Sequence, residues 1–141
     1  SANQAILVRS GSSIDSLGDL DGKKIGCQLD TTGAIWVSEN LVANGNISEA
    51  NLIQYSDIPS AVASLDQGTV DAVICDTPVA VSYSNNEDFD FVTAFTIYTY
   101  EDYGIMIAKG NLALKMEINR IIAEMKDDGS LQAILVKWGC A

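Results

Sequence analysis

The stretch Val70-Asp71-Ala72-Val73-Ile74-Cys75 is the most restrictive feature of this sequence. Its apolar residues run on rather than alternate, so a strand formed here has both faces buried and needs a covering layer on each side. Strands of that kind sit at the centre of parallel sheets flanked by helices. The residues that follow, Asp76-Thr77-Pro78, offer an N-cap oxygen and then a proline near the first turn, which starts a helix directly after the strand.

The same alternation of strand and helix occupies the preceding half of the chain. "AILVR" (5–9) reads as a strand ended by Ser10-Gly11-Ser12-Ser13, and "SLGDLDG" (16–22) as a turn-rich connector. "KKIGCQL" (23–29) predicts a strand, followed by a helix from Ala34 to about Ala43 that stops at Asn44-Gly45. "NLIQY" (51–55) predicts the next strand, and Ser56 or Asp57 with Pro59 opens a helix that Gly68 closes. Further on, "FDFVTAF" (89–95) and "YGIMIAK" (103–109) predict two more strands. Ile118, Ile121, Ile122 and Met125 form a helical stripe, Asp128-Gly129-Ser130 breaks it, and "SLQAILVKW" (130–138) makes a last short helix. Short connections between such elements predict a doubly wound, mostly parallel α/β sheet with helices on both faces. With 141 residues, 48% of them apolar, residues 1–141 are expected to form a single unit with one core.

Charge and residue types narrow the function. A formal charge of −11 leaves no basic stripe for nucleic acid or an anionic membrane surface. No histidine is present, which excludes a Ser-His-Asp triad, a Cys-His pair and imidazole metal sites. Cys27, Cys75 and Cys140 are widely spaced with no CxxC, so no zinc or redox motif is expected. Cys27 and Cys75 read as small buried hydrophobes, with a bridge between them as the alternative. No GxxxxGK loop or other cofactor motif occurs, and no apolar run approaches the ~20 residues that span a bilayer.

In a doubly wound sheet, ligands bind where neighbouring strands send the chain in opposite directions from their carboxyl ends. If "KKIGCQL" and "VDAVIC" are neighbours, that crevice holds Asp30, Thr31, Thr32 and Gly33 on one side and Asp76 on the other. The two threonine hydroxyls and the free N–H groups around Gly33 at a helix N-terminus suit a carboxylate. The Asp76 carboxylate suits an ammonium, and the pair together suits an α-amino acid. Thr31, Thr32 and Asp76 all sit where helix N-caps are expected, and the spacing alone favours capping, although one residue can cap while its neighbour's N–H stays free. The aromatic residues Phe89, Phe91, Phe95, Tyr98, Tyr100 and Tyr103 read as core or edge packing, with stacking on a ligand as the alternative.

Four blocks, "LGDLDGKKIGCQLDTTGA", "AVASLDQGTVDAVICDTPVA", "YGIMIAKGN" and "INRIIAEMKDDGSLQAILVKWG", follow one another in an order and spacing that resemble the second half of the family 3 bacterial extracellular solute-binding proteins. Members of that family are polar-amino-acid receptors of ABC importers, in which two α/β lobes close on the ligand. The resemblance implies that Thr31, Thr32 and the N–H of Gly33 meet the ligand carboxylate and that Asp76 meets its α-amino group. It further implies a non-catalytic binding protein, periplasmic or extracellular, working with an ABC permease and using no metal or cofactor.

Two departures from the family stand out. Asp30 occupies a position where the family usually has glycine, placing a negative charge beside the expected carboxylate seat. Either it turns away as a cap or the site takes a cationic or differently posed ligand. The family's first lobe, expected before "AILVR", is absent, and "LDQGTVDA" has no second copy. The chain therefore resembles one lobe plus the C-terminal helices (111–141) that in the family return to the other lobe. One lobe supplies half the contacts, so binding is expected to be weak, roughly millimolar or undetectable. The stripe on the 111–141 segment is expected either to fold back on the sheet or to pair with another chain, forming a dimer or exchanging the segment. The same fold allows two other roles. One is a sensory module of a signalling protein. The other is a dehydratase-like enzyme, for which Asp30 and Asp76 are the available acid–base groups.

Overall fold

The computed structural model describes residues 2–140; Ser1 and Ala141, the ends of the expected 1–141 unit, lie outside the described residues. Five strands form one sheet: β1 (Ala2–Arg9), β2 (Ile25–Gln28), β3 (Leu52–Tyr55), β4 (Ala72–Asp76) and β5 (Phe91–Glu101), in the order β3-β2-β4-β1-β5. The central strand is β4, as its apolar run requires. Strand β2 pairs in parallel with both β3 and β4, so the two strands that define the crevice are neighbours. Strand β1 is antiparallel to β4 and to β5, which makes it the one reversed strand of the five and the sheet mixed, with two parallel and two antiparallel ladders.

Alternate residues of the central strands feed two cores. Ile6, Val8, Ala72 and Ile74 pack with Cys27, Val37 and Leu41 on one face. Ala5, Leu7, Val73 and Cys75 pack with Val62, Leu65 and Ala80 on the other. Helix α1 (Thr32–Val37), prolonged by a wider π turn over Ser38–Val42, covers the first face. Helices α2 (Ile58–Asp66) and α3 (Thr77–Ser84) cover the second. The Asp57 side chain caps α2 by accepting from the Ser60 N–H at 2.8 Å, and Gly68 follows with φ +76°, a left-handed conformation that glycine adopts without cost. Cys27 and Cys75 are free and belong to opposite faces of the sheet, so the bridge alternative falls on geometry.

One expectation is corrected. "FDFVTAF" opens a single strand of 11 residues that runs on to Glu101, and "YGIMIAK" is not a strand. At Tyr100 the backbone enters the left-handed region (φ 53°), held by the Asn3 side chain accepting from the Tyr100 N–H at 3.0 Å. Tyr100 lies in the irregular stretch of the ladder between the Gln4–Ile97 and Ala2–Glu101 pairs, and the pairing with β1 ends at Glu101. The apolar residues beyond it meet no further strand edge, and Ile105 and Met106 remain 67% and 98% exposed.

Of the two alternatives for the 111–141 segment, the first is not realised: α4 (Leu112–Asp127) and α5 (Ser130–Lys137) pack on each other and bury no residue fully. The stripe of Ile118, Ile121, Ile122 and Met125 does not fold back on the sheet. Two of its members, Ile118 and Ile122, line an open cleft of about 280 Å³ together with Tyr103, Ile105, Ile107, Lys115 and Asn119.

Candidate functional site

The turn from β2 into α1 divides its work among adjacent residues. Asp30 takes a left-handed conformation (φ 57°), which glycine adopts freely and Asp tolerates better than most other residues. Its side chain is exposed and caps nothing. Thr31 is the N-cap: its hydroxyl accepts from the Ala34 N–H at 3.2 Å and donates to the Gln28 carbonyl at 2.8 Å. That leaves the N–H groups of Thr32 and Gly33 without an acceptor among the described residues. Gly33 is buried against Gln4, and a Cβ there would lie 2.8 Å from Gln4 Oε1.

Across the crevice, Asp76 ends β4 and stands at the N-cap position of α3, yet its side chain makes no capping hydrogen bond. The carboxylate turns inward instead. Its Oδ1 accepts from Gln4 Nε2 at 2.8 Å, and its Oδ2 accepts a hydrogen bond from the Tyr103 hydroxyl. Capping thus accounts for Thr31 and leaves Thr32, Gly33 and Asp76 unexplained by it.

The structure brings these residues together through Gln4, a group the sequence does not single out. Gln4 lies on β1, is 1% exposed, and points its Nε2 at Thr32 Oγ1 (3.1 Å), Asp76 Oδ1 (2.8 Å) and Glu101 Oε1 (3.0 Å). Two hydrogens serve three acceptors, and the two carboxylates fix the amide in this orientation. Its carbonyl oxygen, turned toward Gly33, is buried without a donor among the described residues. A small cavity of about 140 Å³ lies alongside, lined by Gln4, Gln28, Thr31, Ile74, Asp76 and Val79 among others.

Glu101, at the end of β5, is also not marked by any spacing in the sequence. It accepts from Thr99 Oγ1 at 2.7 Å and from Gln4, and its Oε2 accepts from the Thr32 hydroxyl at 2.8 Å. Partial burial pushes its carboxyl up, but the hydrogen bonds from Thr99, Gln4 and Thr32 outweigh that and hold it below the usual glutamate range. Burial and the neighbouring Asp76 carboxylate push the Tyr103 phenol up, so it stays a neutral donor. The one available sequence signal for Gln4 is an amide beside an unbroken apolar run; Tyr103 is visible only as one of six aromatics, of which Phe89 and Phe91 stack on each other in the core. Among the described residues the only ion pairs join Arg120 to Glu117 and Glu124, so neither Asp76 nor Glu101 has a cationic partner there. No cluster of metal-ligating side chains occurs among the described residues.

Comparison with known proteins agrees with this architecture. The chain is 30% identical over 134 residues to the L-cystine-binding protein TcyJ of Escherichia coli, a match covering 94% of this chain and 48% of that protein. It is 30% identical over 138 residues to the ABC transporter glutamine-binding protein GlnH of Bacillus subtilis, covering 97% and 48%. Among solved structures, an ancestral arginine-binding protein bound to glutamine superposes with a TM-score of 0.75 at 37% identity, over 99% of this chain and 60% of that one. The chain thus spans about half the length of the curated relatives it matches. The model of the bacterial extracellular solute-binding proteins, family 3, matches residues 1–141, and the chain belongs to that family.

Proposed function

We propose that this chain is a non-catalytic lobe that binds an amino acid, with the ligand carboxylate on the N–H groups of Thr32 and Gly33 and its ammonium on Asp76. The observation that carries this reading is the division of labour at the two helix starts. Thr31 alone caps α1, while the N–H groups of Thr32 and Gly33 stay free among the described residues and Asp76 stays out of the cap of α3. The relatives named for cystine and glutamine support an amino acid as the ligand class. By the same kinship the chain would serve an ABC importer from the periplasm or the cell surface; no described helix is long and apolar enough to cross a membrane.

A single lobe gives half of a closed site, so the dissociation constant of the isolated chain is expected at roughly a millimolar. Thermal-shift and amide NMR titrations with an amino-acid panel, taken to about 100 mM, test this. The Gly33 N–H should move on binding, and Asp76→Asn should weaken binding about tenfold or more. A micromolar constant, or shifts confined to residues outside the crevice, would refute the assignment.

A further inference from the structure

Resting on the amino-acid reading, we infer that Glu101 makes this site select its ligand by charge, favouring an amino acid with a cationic side chain over neutral and acidic ones. Asp76 Oδ1 and Glu101 Oε1 lie within 2.8 and 3.0 Å of one amide nitrogen, and a neutral amide offsets neither charge. Among the described residues no lysine or arginine pairs with either carboxylate, and Asp30 adds a third, exposed carboxylate at the same loop. The hydroxyl of Thr32, which the sequence offers to a ligand carboxylate, is already donated to Glu101 at 2.8 Å. Gln4, almost fully buried, adds a carbonyl oxygen with no donor among the described residues.

The crevice is therefore rich in acceptors and uncompensated in charge. A zwitterionic ligand leaves that charge as it finds it, a side-chain carboxylate adds to it, and a guanidinium or ammonium offsets it. Three hydrogen bonds fix Glu101, so the field it projects is built into the fold rather than left to a mobile side chain.

Arginine against citrulline isolates the charge, because the two ligands share shape and length. The isolated chain is titrated with each, following the Gly33 N–H by NMR in matched salt. Arginine is expected to bind about tenfold tighter than citrulline, and glutamate more weakly than either. That ratio should shrink in about 0.5 M NaCl. Glu101→Gln should bring the arginine-to-citrulline ratio down to near one, and Glu101→Asp, which keeps the charge, should hold it well above one. Equal affinities for arginine and citrulline in the unaltered chain overturn the inference and leave the amino-acid reading standing, and this outcome can be read even if a variant fails to fold. A ratio unchanged in a folded Glu101→Gln overturns it as well. No response of Gly33 to any amino acid overturns the amino-acid reading and the inference with it.

Discussion

Gly33→Ala tests the central packing contact of the site. The added Cβ would sit 2.8 Å from Gln4 Oε1, a separation that real Cβ atoms essentially never show. Gln4 cannot swing clear, because its Nε2 is held by Thr32, Asp76 and Glu101 and the residue is 1% exposed. Overpacking of this kind costs about 1–3 kcal/mol, and replacing glycine by alanine in a helix returns at most about 1 kcal/mol. The net expectation is a loss of about 1–2 kcal/mol, seen in urea as a midpoint lower by about 0.5–1 M with an unchanged slope. In a Gln4→Ala background the obstructing oxygen is gone, so the same substitution should be neutral or stabilising. The two effects should differ by about 2 kcal/mol, a coupling expected only of residues in contact. If Gly33→Ala costs the same with and without Gln4, the close approach is not what requires glycine at this position.

Acid should weaken the fold. The Glu101 carboxyl is held low in the native state, so the stability it contributes is present above its ordinary value of 4.5 and is lost as pH falls below that toward the native value; Glu101→Gln should flatten this part of an acid-unfolding curve. Burial pushes the thiols of Cys27 and Cys75 up to about 11 and about 12, so a thiol reagent at pH 8 should modify Cys140 in the native chain and reach the other two only on unfolding. Ile121 on the half-buried α4 stripe and the exposed apolar residues Ile105 and Met106 should drive self-association. Sedimentation velocity should show a sedimentation coefficient that rises with concentration and is restored to the monomer value by Ile121→Glu, and a concentration-independent monomer would remove the dimer or segment exchange.

Local patterning determined much of this protein. The apolar run before Asp76 put β4 at the centre of the sheet, and the Asp57 cap with Pro59 opened α2, because a strand buried on both faces and a helix start are properties of a few adjacent residues. The positions of Thr31 to Gly33 opposite Asp76 were legible for the same reason, since chain reversal at a switch point follows from element order.

What only the tertiary structure decided were the groups that meet from distant parts of the chain. Whether Thr31 or Asp76 caps its helix depends on where each side chain finds a better partner. Asp76 found Gln4 and Tyr103, which stand 72 and 27 residues away in sequence. Glu101, at the end of β5 beside the left-handed Tyr100, reaches Gln4 and Thr32, which stand 97 and 69 residues away in sequence, and "YGIMIAK" beyond it finds no strand partner. Burial of one face imprints a period on the residues of a strand or helix, whereas hydrogen bonds across such separations leave no period or spacing, so the elements were legible in the sequence and the network around Gln4 was not.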